Sequence, residues 1–147
     1  MKSIFDETVY QEILSRIDNL EETTAGQWGK MTVAQMLWHC QFPLRIAIEN
    51  KKPKGSGNIF AKLFFKKALY NDRPWRKNLP TAPALKAKET KNFASEKHML
   101  KKLVTDCHNV RHRETWNAHP LFGAFTPQQW GQVQFKHLDH HLNQFGV

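Results

Sequence analysis

Four stretches of the chain place apolar residues at the three- and four-residue spacing of an amphipathic helix. In the first, about residues 5–20, Val9, Ile13, Ile17 and Leu20 form one stripe. The second begins at Thr32. There Thr32 and Gln35 form a Thr-x-x-Gln capping box, which satisfies N–H groups that a helix start leaves without partners. Its stripe is Val33, Met36, Leu37, Cys40, Leu44 and Ala47, and Pro43 within it predicts a kink. The third, about 95–116, carries Met99, Leu100, Leu103, Val104, Cys107 and Val110 on its inner face. The fourth opens at Thr126, with Pro127 where a missing N–H costs nothing and Gln129 repeating the capping box. It ends at Phe145, and Gly146 is the stop. No alternation of the strand kind competes, so the fold class is all-α.

Residues 51–94 differ from the rest. Pro53, Gly55, Gly57, Pro74, Pro80 and Pro83 punctuate them. A connection of this length between packed helices crosses the molecule from end to end or has a job of its own. Within it, 59–69 reads as a short amphipathic helix whose aromatic residues pack inward. The same stretch could lie on a membrane surface with Lys62, Lys66 and Lys67 outward, but its shortness makes a weak anchor.

The 147 residues suit one domain, 1–147. The two cysteines, Cys40 and Cys107, lie far apart and fit no paired metal spacing, which favours a reducing, cytoplasmic setting. No stretch approaches the roughly 20 apolar residues of a membrane span. Met1-Lys2-Ser3-Ile4-Phe5-Asp6-Glu7 turns acidic too early for a signal peptide. The net charge of +9 is concentrated: residues 51–102 hold 15 Lys/Arg against 3 Asp/Glu. Lysines interleaved there with Phe60, Phe64, Phe65, Tyr70 and Trp75 could serve a nucleic acid. No known reading motif accompanies them, and a solvated charged surface is the simpler account.

Of the eight histidines, His108/His112 and His137/His141 form His-x-x-x-His pairs on helices. Residues four apart lie one above the other, so either pair could chelate a metal. On the fourth helix His137 and His141 share the apolar stripe with Trp130, Gln134, Leu138 and Phe145, while Lys136, Asp139 and Asn143 take the far side. On the third helix the same wheel turns His108 and His112 toward water. His39 flanks the stripe of the second helix. If the long connection crosses the molecule, helices two and four run antiparallel. His39 then falls about 10 Å from one end, level with His137 and His141.

Three imidazoles leave positions for water or substrate, the pattern of a catalytic metal site. Nitrogen ligands suit zinc or nickel, with iron or copper compatible. The competing reading is that each inward histidine is a hydrogen-bonded core residue. Gln35 and Gln134 are candidates to orient a ligating imidazole, and Glu114, on the inner face of the third helix, is a candidate acid or base. Cys40 beside His39 reads as core, since neighbours on a helix point about 100° apart. His119, Trp28 and Trp130 read as packing residues.

Thr32-Val33-Ala34-Gln35-Met36-Leu37-Trp38-His39, followed near the end by His137-Leu138-Asp139-His140-His141, resembles the DinB superfamily. His119-Pro120-Leu121-Phe122-Gly123 and Trp130-Gly131-Gln132-Val133-Gln134-Phe135-Lys136-His137 are similar to an uncharacterised branch of it. The resemblance implies a four-helix bundle with a long crossover between helices two and three. It also implies a divalent metal on His39, His137 and His141, and activation of a low-molecular-weight thiol in a transfer, isomerisation or hydrolysis. The alternatives are a non-catalytic metal-binding scaffold or stress protein, dimeric through its helices, and a polyanion binder acting through 51–102.

Overall fold

The computed structural model describes residues 1–54, 59–60, 64–79 and 85–147. Among them the structure is helical, with no named strand. The α-helices are α1 (Glu7–Asp18), α2 (Val33–His39), α3 (Gln41–Glu49), α4 (Phe93–Asn109) and α5 (Pro127–Gln144). Both expected capping boxes form, Thr32 with Gln35 and Thr126 with Gln129. Gly146, at φ +76°, follows α5 in the left-handed conformation that favours glycine.

α2 and α3 are one rod broken at Cys40. Pro43 has no N–H to give the carbonyl of His39, and its ring crowds that carbonyl. The helix therefore ends at His39 and restarts at Gln41. His39 is thereby the last residue of α2.

Hydrogen bonds between elements fix the directions. At the start of α2, Gln35 Nε2 donates to Glu89 O, ahead of α4. At the far end, Arg113 donates to Ala47 O and Ile48 O, and Asn50 Nδ2 donates to Thr115 O. The α2–α3 rod and α4 thus run parallel, and the connection between them travels the length of the molecule, as the sequence suggested. Gln27 N donates to Gln144 O at 2.7 Å, joining the entry of α2 to the end of α5, so these two run antiparallel. α1 lies parallel to α5: Ile4 N donates to Gly131 O, and Arg16 pairs with Asp139 at 2.7 Å. Buried Ile13, Ile17, Met36, Leu37, Leu44, Leu100, Val104, Trp130, Leu138 and Leu142 fill the space between.

Three expectations are corrected. The third helix stops at Asn109, continues as a 3-10 turn over Val110–His112, and is extended by Arg113 rather than running to Trp116. The Arg113 guanidinium leaves that axis to cap the free carbonyls of α3. His108 does not face water. The segment before α1 folds over it, its Nδ1 meets Ile4 O at 2.8 Å and its ring stacks on Tyr10. Finally, Ile59, Phe60, Phe64 and Phe65 are exposed rather than packed inward. The neighbouring 3-10 turn, Lys66–Leu69, is held by Leu69, which packs against the core, and by Lys136 Nζ donating to Ala68 O at 2.7 Å. Residues 61–63 of that stretch, Lys62 included, lie outside the described residues.

Candidate metal centre

The break at Cys40 places His39 against one face of α5, opposite His137 and His141. One ligand-type atom from each of the three side chains lies within 4.8 Å of the others. The closest pair, His39 Nε2 and His137 Nε2, is 3.2 Å apart. Ring centroids are 5.1 Å apart for His39–His137 and 4.8 Å for each of the other pairs. Two nitrogens bound tetrahedrally at about 2.05 Å would stand about 3.3 Å apart. The His39–His137 spacing matches that of neighbouring ligand atoms around one ion and also that of an N–H···N bond between the two rings, while the cluster as a whole spans 4.8 Å.

Hydrogen bonds orient two of the rings. His39 Nδ1 lies 3.0 Å from the carbonyl of Leu85, which can only accept, so Nδ1 carries the proton and Nε2 keeps its lone pair. His141 Nδ1 lies 2.9 Å from Gln144 Oε1. The amide of Gln144 is itself oriented, because its Nε2 donates to Trp28 O at 2.7 Å. His141 Nδ1 therefore donates and its Nε2 is free. For His137, Nε2–H can donate to the bare His39 Nε2, and a shift of its proton to Nδ1 would free that nitrogen too.

Burial holds these imidazoles unprotonated. Desolvation lowers His39 below its ordinary range, against the opposing bond to Leu85. It takes His137 well below, aided by repulsion from His141, His39 and His140. His141 falls to about 3, from desolvation first and from His39 next, with the Gln144 bond opposing. At neutral pH the three imidazoles are therefore neutral, and no charged ring has to be deprotonated for the cluster to take a metal. The indole of Trp75 stands edge-on to His137 at 6.0 Å. His140, half-buried, packs at 5.1 Å from His141.

The match to a family model covers residues 5–146. The chain belongs to the family described as Protein of unknown function (DUF1569). No curated protein matches it, and no solved structure does. In this DUF1569 chain the three histidines expected from the sequence are brought together, and the other candidates are not. Gln35 is occupied by its capping box and Glu89. Gln134 is buried, with its Nε2 lacking a partner among the described residues. Glu114 is exposed, because the helix expected to carry it inward has already ended. Cys40 is buried against Met36, its Sγ 3.6 Å from the thioether, and desolvation pushes its thiol far up, which removes it as a nucleophile.

Sequence reasoning missed Gln144 and Leu85 as the partners of the ligand rings. Gln144 had a signal: it lies three residues after His141, hence on the same helical face. Leu85 acts through its backbone in the long connection, where side-chain patterns are silent. Lys136 was also misplaced. It is buried beneath the connection, donating to Ala68 O, Asn71 O and Asn71 Oδ1 at 2.6–2.7 Å, not standing on a bare outer side.

Proposed function

We propose that this protein is a metal-dependent enzyme of the DinB-like kind, a four-helix bundle holding one divalent metal on His39, His137 and His141, and acting on a small molecule by thiol transfer or hydrolysis. The observation that carries the proposal is the 3.2 Å approach of His39 Nε2 and His137 Nε2, within a cluster whose ligand atoms span 4.8 Å. An N–H···N bond accounts for His39 and His137 alone; the third imidazole, His141, with a ligand atom within 4.8 Å of theirs, makes the group a ligand set, and zinc or nickel suits it, with iron or copper compatible.

When bound, such a metal supplies a Lewis acid with open positions that lowers the pKa of a thiol or water. The protein's own residues do the rest. Leu85 O and Gln144 Oε1 fix the tautomers and planes of His39 and His141. Trp75 packs edge-on against the His137 ring, 6.0 Å between centroids. The bonded pair Gln144–Trp28 ties the geometry of His141 to the loop ahead of α2.

Elemental analysis of freshly purified protein tests the reading, with the His39→Ala, His137→Ala and His141→Ala variants alongside. One equivalent of a transition metal in the wild type is expected. Each variant should lose it while keeping its helical circular dichroism. Wild-type protein that neither carries nor takes up such a metal would refute the site. A cobalt-loaded protein that shows no thiolate-to-metal absorption on adding 2-mercaptoethanol would refute thiol chemistry while sparing the site.

A further inference from the structure

Beside the three histidines, Trp28, Trp75, Lys77, Lys136, Asp139 and His140 enclose most of a cleft of about 170 Å³. Its walls are aromatic. The His140 ring lies between two indoles, 5.5 Å from Trp75 and 5.9 Å from Trp28. Its charge is positive. Lys77 Nζ stands 4.5 Å over the Trp28 ring and is exposed toward the opening. Lys136 Nζ is buried 5.8 Å over Trp75, and all three of its bonds go to neutral oxygens. Those bonds satisfy its protons without cancelling its charge, and no carboxylate reaches it at ion-pair distance among the described residues. The one acid in the lining, Asp139, is paired with Arg16 at 2.7 Å, a guanidinium that also meets Glu12 and Val147 O. Flat aromatic walls beside two lysines, with the one lining carboxylate paired to Arg16, favour a small anion with an apolar body.

The cleft also touches the centre. Trp75 packs on His137, His140 packs on His141, and Trp28 O accepts the bond from Gln144 that orients His141. A molecule held in the cleft therefore contacts the rings and the loop that position the ligands. We propose that the cleft binds a small organic anion, a carboxylate on a flat or short apolar body, and that it receives the acid end of the substrate. The second half of this statement rests on the metal-centre reading; the first does not.

Metal-free protein is titrated with benzoate and with its neutral isostere benzamide, reading the five indole N–H signals by NMR, assigned through Trp28→Phe and Trp75→Phe. Benzoate should move the Trp28 and Trp75 signals and leave those of Trp38, Trp116 and Trp130 in place. Its affinity should exceed that of benzamide and fall as salt is raised. Lys77→Gln, at an exposed position, should weaken benzoate about threefold and leave benzamide unchanged. Equal affinity for the two probes, or shifts absent from Trp28 and Trp75, overturns the proposal. Cobalt uptake is measured on the same samples. Absent uptake with the benzoate shifts intact removes the metal reading and the substrate assignment but keeps the anion site; normal uptake without the shifts does the reverse.

Discussion

Gln144 gives the sharpest test of the proposed centre, because it touches one of the three histidines without being among them. It is buried, accepts from His141 Nδ1 at 2.9 Å and donates to Trp28 O at 2.7 Å. Gln144→Ala removes both bonds. The His141 ring is then free to rotate and to take the wrong tautomer. Loss of such an outer partner lowers metal affinity about 10- to 100-fold, or ~1.4–2.7 kcal/mol. The Trp28 carbonyl is left without its donor, which costs ~1–3 kcal/mol of metal-free stability. Gln144→Glu separates the two roles. Its carboxylate still accepts from His141 and makes that ring a better donor to a metal, but it sets an oxygen against the Trp28 carbonyl where an N–H stood. Zinc affinity, from competition with a chelator at neutral pH, should therefore recover to the wild-type value or above. Metal-free stability, from urea unfolding, should stay low. Wild-type affinity in Gln144→Ala, or affinity in Gln144→Glu as poor as in Gln144→Ala, would show that Gln144 does not orient His141.

Desolvation lowers buried His119 to about 4, and its Nδ1 accepts from the N–H groups of Leu121 and Phe122. Its folded pKa lies below the unfolded value near 6.5, so its contribution is complete above that pH, is lost as pH falls toward about 4, and amounts to ~3 kcal/mol. His119→Asn keeps an acceptor for the same N–H groups, and its unfolding free energy should lack that loss; identical pH curves for variant and wild type would contradict this. Gly131 lies where Ile4 N bonds its carbonyl, and a Cβ there would stand 2.1 Å from Ser3 Oγ and 2.8 Å from Phe5. Gly131→Ala should lose ~1–3 kcal/mol in chemical denaturation, and an unchanged midpoint would contradict the packing. Cys40 and Cys107 are both buried, the latter with its thiol pushed up to about 12 by desolvation. Both should resist a disulfide reagent until the protein unfolds, and fast labelling of either in the native state would reopen a nucleophilic role.

The legible parts of the fold were those written in local chemistry. The stripes of α1, α2–α3, α4 and α5, both capping boxes and the Gly146 stop all follow from residues within a turn or two of each other. The errors arose where a distant segment competes. A helical wheel asks only which face of α4 is apolar, and His108 lies off that face. What buries it is the chain before α1 together with the first turn of α1: the Ile4 carbonyl and the Glu7 carboxylate meet the two ring nitrogens. Arg113 is similar. Nothing local ends the helix before it, but the open carbonyls of α3 take its guanidinium.

The candidate centre was readable for a reason that also limits the reading. A metal site on two rods needs one residue at the right level on the first and two four apart on the second, and axial position follows from counting residues at 1.5 Å each. Azimuth was the weaker part, since an unbroken helix leaves His39 about 90° from the centre of its stripe. In the structure the rod breaks at Cys40, His39 is terminal, and its Nε2 stands 3.2 Å from that of His137. The break that accompanies Pro43 is therefore the feature to test. Restoring the helix should undo the site while improving the rod. Pro43→Ala returns an N–H to the His39 carbonyl and raises helix propensity. Metal affinity should fall while metal-free stability holds or rises. A variant that straightens nothing and binds metal as before would mean that the position of His39 is set elsewhere, by its bond to Leu85 O.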